Sequence, residues 1–203
     1  MKTTVLFITF SISNLFSFPD AIVSTNELIS QDYSILDLQM ADIDSNGTID
    51  IIAVAQIKNE INEKRCLLLY TGTDNYYLKK VENSNAIHLS DEDGMLGDPF
   101  RGIKITNGSI VLSFYGGSYW RWALSFQFRF KEDNWYLIRY DLNNLSSVNS
   151  EGFEESYDFL SKKMKRIDTD KNKKRKEIWR SLENKKLVSI SDFDIYNKGK
   201  YLK

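Results

Sequence analysis

A long alternation of apolar and polar side chains between positions 119 and 130 limits what this chain can fold into. Every second residue of the segment is aromatic or aliphatic: Trp120, Trp122, Leu124, Phe126, Phe128 and Phe130. Successive side chains of a β-strand point to opposite faces of its sheet, so this period predicts a half-buried strand with both tryptophans in the core. The opposite face carries the residues that we expect at the surface: Tyr119, Arg121, Gln127 and Arg129. Tyrosine and arginine on an exposed face suit contact with a protein or glycan partner.

Turn signals on both sides of this strand predict its neighbours. Asn107 and Gly108, a pair that tolerates the positive φ angles of a type I′ hairpin, separate two short apolar runs. A glycine-rich turn precedes the alternating segment, and a polar turn follows it. The four strands predicted in this way are 103–106, 109–114, 120–130 and 135–140. They form an antiparallel meander from Gly102 to Tyr140.

The segment before the meander also has the pattern of strands and turns. Residues 49–56 are mostly β-branched and apolar, which is typical of a strand buried on both faces. The other predicted strands here are 33–38, 65–70 and 76–81. With 203 residues, 42% of them hydrophobic, the chain is large enough for one ordinary core. We therefore expect a single mainly β domain over 21–203, with antiparallel strands in a meander or sandwich-like arrangement.

The composition changes beyond position 150. Apolar residues recur there at three- and four-residue spacing, which predicts one short amphipathic C-terminal helix: Phe153, Tyr157, Leu160 and Met164. Residues 161–186 carry 12 basic and 4 acidic side chains, whereas residues 1–160 carry 12 and 22. We interpret the region 153–186 as a basic helix and loop with a solvated surface. Nucleic acid is not an expected partner, because Trp179 is the only aromatic residue among these cations.

The beginning of the chain predicts export. Lys2 is followed by the charge-free apolar stretch 5–16, which is too short to span a bilayer and resembles the core of a signal peptide. We place this signal at residues 1–20, with cleavage near 17–21. The alternative is a buried first strand. Export makes the protein periplasmic or extracellular, and no transmembrane span is expected.

The rarity of cysteine and histidine excludes several classes of site. One Cys and one His cannot supply a disulfide framework or a Cys/His zinc site. Cys66 lies in an apolar run and is predicted to be a small core residue. His88 has no nucleophile motif near it, so we interpret it as a structural or surface histidine. The acidic loop 91–98 has no standard ligand spacing, and we interpret it as a solvated turn, with a second cation site as the alternative.

The segment 42–50 has the spacing of a calcium loop. Oxygen-bearing side chains occupy its positions 1, 3, 5 and 9, and a glycine at position 6 allows the backbone to reverse. The predicted ligands are the side chains of Asp42, Asp44, Asn46 and Asp50 and the carbonyl of Thr48. Position 12 is Ala53 rather than the bidentate glutamate of an EF-hand, and a strand follows. The sequence therefore predicts a weak structural Ca²⁺ site, with a solvated turn as the alternative.

This loop and the strand after it resemble the calcium loop of FG-GAP or VCBS-type modules. The resemblance implies that the same four side chains and the Thr48 carbonyl bind the ion. From about residue 28 to 140 the chain also resembles a group of exported bacterial proteins of unassigned function. Two motifs carry that resemblance, Gly-Asp-Pro-Phe at 97–100 and Tyr-Gly-Gly-Ser-Tyr-Trp-Arg-Trp at 115–122. The resemblance implies that this chain is related to those proteins and is exported, and it does not imply any activity.

These features favour a non-catalytic function. We expect an exported calcium-stabilised β module that acts as a binding or scaffold protein in the bacterial envelope, with a protein or an envelope glycan as partner. A second hypothesis is a periplasmic immunity or inhibitor protein that neutralises a toxin through the acidic part of the chain. A third is a cation-dependent glycan hydrolase that uses the acidic loop 91–98, where paired carboxylates serve the chemistry only at the right separation.

Overall fold

Two antiparallel sheets make up most of the chain. The computed structural model describes residues 18–28, 32–58, 64–92, 96–183 and 186–202. The first sheet has the order β1-β5-β4-β3-β2. Its strands are β1 (Ala21–Ile22), β2 (Tyr33–Ala41), β3 (Asp50–Ile57), β4 (Arg65–Gly72) and β5 (Tyr77–Asn83). The four strands predicted in this part of the sequence are thus confirmed.

The second sheet contains seven strands, and each strand after the first is paired with the strand before it in the chain. They are β6 (Phe100–Thr106), β7 (Ser109–Gly117), β8 (Trp120–Lys131), β9 (Asn134–Ser146), β10 (Gly152–Asp158), β11 (Lys163–Thr169) and β12 (Arg175–Ser181). Strands β6 to β9 are the predicted meander. Its first turn is at Asn107 and Gly108, which both have positive φ angles, of 49° and 67°, as the type I′ hairpin requires.

The two sheets pack face to face around a shared hydrophobic core. Ile52, Leu67 and Val81 project into it from the first sheet, and Phe126 and Tyr140 project into it from the second. Rings in this core lie close together, with the centroids of Phe126 and Tyr140 5.1 Å apart. This arrangement confirms the predicted mainly β, sandwich-like fold.

The first sheet is buried on its other face as well. Phe18, Ile22 and Leu28, the last from a 3₁₀ helix at Thr25–Leu28, pack there against strands β3 and β4. All but the last residue of β3 is buried, which confirms the prediction of a strand covered on both faces. Cys66 is fully buried in this second core, as predicted.

The predicted C-terminal helix is wrong. Residues 153–164 belong instead to a hairpin of β10 and β11, and the basic tract supplies β12. Tyr157 lies opposite Tyr140 on one side and Met164 on the other, so the apolar residues form a row across three strands. Strand β9 continues to Ser146 and offers a long edge, and pairing with that edge overrides a helical pattern that rests on four residues. The helical residues near the C-terminus are a 3₁₀ turn at Ile195–Lys200.

A C-terminal apolar patch, residues 187–193, forms a single bridge to β9. Ser189 pairs with Tyr136 where β10 has ended, and the amides of Leu137 and Ile190 complete hydrogen bonds to Val188 and Trp135. Phe193 inserts its ring next to Phe126. The patch therefore closes the open end of the shared core.

One of the two tryptophans expected in the core lies at its margin. Trp122 packs against the shared core, as the alternation predicts. Trp120 is the first residue of β8 and is 44% exposed. The period of two correctly indicates its face, but burial also depends on the position along the strand.

The sandwich is joined at one side by a half-buried carboxylate. Strand β2 and strand β6 are the edges of the two sheets, and Asp37 Oδ2 on β2 accepts a hydrogen bond of 2.6 Å from the amide of Ile103 on β6. Gly102 has a φ of 119°, and a Cβ there would lie 2.8 Å from the same oxygen. Glycine is required at this position by both the backbone angle and the close approach.

Most of the predicted signal peptide, residues 1–17, lies outside the described residues. The end of the predicted segment does not. Phe18 is buried, its carbonyl accepts a hydrogen bond from Lys79 Nζ, and the carbonyl of Pro19 accepts one from the Tyr70 hydroxyl. The described residues contain no helix with the length and hydropathy needed to cross a bilayer.

Candidate metal centre

The predicted calcium loop connects β2 and β3. Residues 42–49 lie between the two strands, whose last pair joins Ala41 to Asp50. Gly47 has a φ of 90° and Ser45 a φ of 63°, so the backbone reverses inside the loop at the predicted glycine. Ile43 points the other way and is buried in the shared core. The apolar residue between two acidic positions thus fastens the loop to the sandwich.

Three carboxylates of the loop converge. One oxygen from each of Asp42, Asp44 and Asp50 lies within 4.8 Å of the others. Asp42 and Asp44 are half-buried and Asp50 is fully buried. Three negative charges at such separations repel one another, and a divalent cation placed among them would remove that cost.

The loop backbone is held by the same side chains that would bind the ion. Asp42 accepts hydrogen bonds of 3.0 Å from the amides of Asn46 and Gly47. Asp44 accepts one of 3.1 Å from the amide of Asn46, and Asn46 Oδ1 accepts one of 2.7 Å from the amide of Thr48. Each carboxylate oxygen carries two acceptor positions, so these bonds leave capacity for a ligand.

Asp50 is the structural anchor of the loop. Its Oδ2 accepts the amide of Ile43 at 2.8 Å, and its Oδ1 accepts the amide of Gly72, at the end of β4, at 3.0 Å. Burial raises the pKa of Asp50 above its ordinary value, and the charge of Asp44 raises it further, while the amide donors act in the opposite direction. Position 9 therefore links the loop to the neighbouring hairpin.

A close backbone contact reinforces this link. Thr48 Oγ1 donates a hydrogen bond of 2.8 Å to the carbonyl of Gly72. A Cβ on Gly72 would lie 2.1 Å from the carbonyl oxygen of Ile49, so only glycine fits. The connection between residues 48–50 and residue 72 is not visible in the sequence, because its partners are 22 or more positions apart.

The donor set suits a hard cation. All the candidate ligands are oxygen atoms: the side chains of Asp42, Asp44, Asn46 and Asp50 and the carbonyl of Thr48. Calcium prefers six to eight such ligands in flexible geometry, and water completes an exposed site of this size. Ala53 is buried in β3 and lies outside the loop, in agreement with a site unlike an EF-hand.

Three of the four predicted surface residues share one exposed face of the second sheet. Arg121, Gln127 and Arg129 point away from the core along β8, and the Arg129 guanidinium donates to Ser109 Oγ at 3.1 Å. Tyr119 lies just before β8 and is 52% exposed. The same outer face continues over β9 to β12, where it carries Arg139, Ser156, Lys165 and Trp179.

The acidic residues of the loop 91–98 have different surroundings in the structure. Asp98 forms a two-pronged ion pair with Arg65, and Asp98 Oδ1 also accepts the amide of Phe100 at 2.9 Å. Asp91 is exposed. Residues 93–95 lie outside the described residues, so this part of the predicted loop is untested. The Gly-Asp-Pro-Phe motif thus contains the partner of a buried arginine.

A second polar cluster escaped the sequence analysis. His88 Nδ1 lies 2.7 Å from Glu92 Oε2, which also accepts the hydroxyl of Tyr196 at 3.0 Å. The ring of His88 packs edge-on against Phe114 and Tyr196. The four-residue spacing of His88 and Glu92 could have indicated their contact. The contact with Tyr196 could not be predicted, because this residue comes from the distant C-terminal turn.

Comparison with protein-family models, with curated proteins and with solved structures finds no significant match to this chain. The resemblance to FG-GAP or VCBS-type loops therefore stays a prediction.

Proposed function

We propose that this protein is an exported β module, stabilised by calcium, that acts as a non-catalytic binding or scaffold protein in the bacterial envelope. One observation carries the proposal: oxygen atoms of Asp42, Asp44 and Asp50 lie within 4.8 Å of one another in a loop with calcium-loop spacing. The apolar stretch 5–16, with its resemblance to a signal peptide, supports a periplasmic or extracellular location.

The ion has a structural role in this proposal. Bound among Asp42, Asp44, Asn46, Asp50 and the Thr48 carbonyl, it would neutralise the repulsion between the carboxylates and hold the backbone of the loop. Asp50 would transmit that constraint to Gly72, and hence to both hairpins of the first sheet. No reacting group is needed for this effect, because a ligand that binds only the folded state stabilises it by mass action.

The outer face of the second sheet is the proposed contact surface. Arg121, Gln127 and Arg129 lie on it, with Tyr119 at its end. Arg139 is held rigid there by two hydrogen bonds to Asp141, of 2.8 and 2.9 Å. Ordered cationic and aromatic side chains on a flat scaffold are suited to an envelope glycan or a protein partner, since less entropy is lost when they bind.

Thermal unfolding with and without calcium tests the metal site. If calcium is present at 10 mM, 100 times a dissociation constant of about 0.1 mM, linkage predicts about 2.7 kcal/mol of added stability. For a chain of this size the unfolding temperature then rises by about 5–10 °C relative to chelator. Asp44→Ala is expected to abolish the rise.

Asp74→Ala is the matched control. Asp74 is an exposed aspartate in the turn between β4 and β5, outside the loop, so its removal should leave the calcium response intact. An unchanged unfolding temperature of the native protein in calcium would refute the metal site. So would an equal rise in Asp44→Ala, which would assign the effect to general screening of acidic charge.

A further inference from the structure

The second sheet ends in an uncovered strand. Strand β12 (Arg175–Ser181) pairs with β11 on one side and is the last strand of the sheet. Six of its seven residues are exposed and Ile178 is half-buried. No other described element lies along its outer edge. A strand of this length presents a row of unpaired backbone donors and acceptors.

The register shows which backbone groups face outward. The amide of Leu182 donates to the carbonyl of Lys162, and the amide of Asp170 donates to the carbonyl of Lys174. Hydrogen-bonded and non-hydrogen-bonded pairs alternate along an antiparallel ladder. These two bonds show that the even-numbered residues of β12 form the hydrogen-bonded pairs with β11. The N–H and C=O groups of the odd-numbered residues therefore point away from β11: Arg175, Glu177, Trp179 and Ser181.

Other described elements lie along the other sheet edges. Strands β2 and β6 lie next to each other and are joined by the bond between Asp37 and Ile103. Strand β5 is paired with β1 at its start, and at its end Asn83 Nδ2 donates to the carbonyls of Ile190 and Phe193. Strand β1 has only two residues. Among the described strands, β12 is therefore the long edge that remains available.

The charge around this edge indicates what would pair with it. Positions 171–181 carry six basic residues and one acidic residue. Glu177 is bound by Lys165, and Arg175 by Glu154. Lys176 and Arg180, by contrast, are exposed and form no ion pair with a described residue. They flank Ile178 on one face of the strand, which favours a partner strand with an apolar residue between two acidic ones.

We propose that β12 is a docking site for an extended acidic segment of a partner protein, which adds to the second sheet as an eighth strand. Main-chain hydrogen bonds to Glu177 and Trp179 would provide affinity, and Lys176 and Arg180 would select acidic side chains. A second copy of this chain is a poorer occupant, because pairing β12 with itself would bring two strongly basic segments together. The inference rests on the proposed binding function but not on calcium.

The test is fluorescence anisotropy with a short labelled peptide in which glutamate, valine and glutamate occupy every second position and threonine occupies the positions between them. One face of the added strand then presents an apolar side chain between two acidic ones. The control peptide has the same sequence with N-methyl groups on alternate residues, which removes main-chain donors and preserves charge. The purified protein is expected to bind the first peptide at least about tenfold more tightly than the second, because only the first can complete a ladder. Charge reversal at Lys176→Glu with Arg180→Glu is expected to weaken binding by about tenfold, whereas Lys104→Glu on the opposite edge strand leaves it unchanged.

A pair of variants isolates the outward amide. Glu177→Pro and Glu177→Ala both remove the carboxylate, but only proline also removes the N–H that points away from β11. Proline is tolerated at such an edge position, so both variants should fold. We expect Glu177→Pro to bind the peptide about tenfold more weakly than Glu177→Ala, in proportion to the loss of ladder bonds. Circular dichroism verifies folding, and the peptide comparison stands alone if the proline variant does not fold.

Several outcomes would overturn the proposal. Equal binding of both peptides would show a general preference for polyanions, as would binding to anionic phospholipid vesicles that Glu177→Pro does not reduce. Sedimentation that shows a dimer abolished by Glu177→Pro would assign the edge to a second copy. Binding is measured in calcium and in chelator, so a failed metal site and a failed docking strand give separate results.

Discussion

Arg65 is the largest side chain of the described residues that is excluded from water. It begins β4, is 1% exposed, and donates to Asp98, to Gln56 Oε1 at 2.9 Å and to the carbonyl of His88 at 3.1 Å. A buried guanidinium is tolerated only when its donors are satisfied and its charge is paired. This requirement explains why the loop before β6 carries an aspartate at position 98.

Removing Asp98 should therefore destabilise the fold. Asp98→Ala leaves the Arg65 charge buried without its partner. Loss of one partner of a fully buried pair costs about 3–5 kcal/mol. Because the Asp98 side chain is 41% exposed, water relieves part of the loss and we expect about 2 kcal/mol. Urea unfolding measures this value, with Asp91→Ala as the exposed control, and equal stabilities of the two variants would contradict it.

The lowered pKa of His88 predicts that the protein becomes less stable in mild acid. Burial lowers the pKa of His88 below its ordinary value, Lys198 and Arg65 lower it further, and Glu92 opposes them. The unfolded chain then binds a proton at a higher pH than the folded chain. The contribution of neutral His88 to the free energy of unfolding is complete above about pH 6.5. It is lost as the pH falls through the lower, folded pKa, by about 1.4 kcal/mol for each unit by which the folded pKa lies below the unfolded pKa.

The measurement is the free energy of unfolding at pH 7 and pH 5, in the native protein and in His88→Gln. The variant should lose less stability on acidification. The chain contains one histidine, so its ring signals in NMR also report the folded pKa directly. A folded pKa above 6.5 would show that attraction to Glu92 outweighs burial, and it would reverse the predicted slope.

At the scale of elements, the N-terminal segment acts as a cover for the first sheet. Phe18 and Ile22 are buried against β3 and β4, and Tyr70 and Lys79 bind the carbonyls of Pro19 and Phe18. These contacts mean that processing of an exported chain within 18–21 would expose apolar surface. Cleavage before Phe18 is consistent with a covered sheet.

Truncation tests the importance of this cover. A chain that begins at Val23 lacks Phe18 and Ile22 and is expected to be less stable than one that begins at Phe18. Burying each of these side chains contributes about 1.5–3 kcal/mol, so the difference should be about 3–6 kcal/mol. Urea unfolding of the two chains gives the value. Indistinguishable midpoints would mean that the segment contributes nothing to stability.

Elements differ in how far the sequence predicts them. Strands β6 to β9 are predictable, because the alternation along β8 and the Asn-Gly turn are local signals. The hairpin of β10 and β11 is not, because Tyr157 and Met164 also fit a helical period and only pairing with β9 decides between the two. Strand β12 is exposed on both faces, so it has no apolar period to find. The turn between β11 and β12 also contains Lys173 at a positive φ, which the residue type does not predict.

The candidate metal centre also has one part that the local sequence predicts and one part that depends on tertiary structure. The spacing of Asp42, Asp44, Asn46 and Asp50 is a local pattern, and the sequence predicts that these side chains surround one point. The structure brings the three carboxylates of this set within 4.8 Å of one another. The anchoring of Asp50 to Gly72 depends on the pairing of β3 with β4, so it follows from tertiary structure and not from spacing.

At the scale of the whole molecule, we expect the two sheets to unfold as one cooperative unit. They share the core that contains Ile52 and Phe126, and Asp37 joins their edges through the amide of Ile103. Asp37→Ala leaves that amide without its acceptor, at a cost of about 1–3 kcal/mol, but does not divide the core. We expect a lower unfolding temperature and a single transition, with near- and far-ultraviolet circular dichroism coinciding.

Asp37→Asn is the matched control for this prediction. It retains a side-chain oxygen that can accept the amide of Ile103 and removes only the charge. It should lose less stability than Asp37→Ala. Two separate transitions in Asp37→Ala would show instead that each sheet is stable by itself and that the junction holds two units together.

The order of strands in the second sheet has a consequence for how that sheet can assemble. Every neighbour in the sheet is also the next strand in sequence, from β6 to β12. Each addition closes only a short loop, so the entropy cost of loop closure is small at every step. No early segment has to return to complete this sheet. Assembly can therefore follow the order in which the segments leave a ribosome or an export channel, one hairpin at a time, with β12 added last.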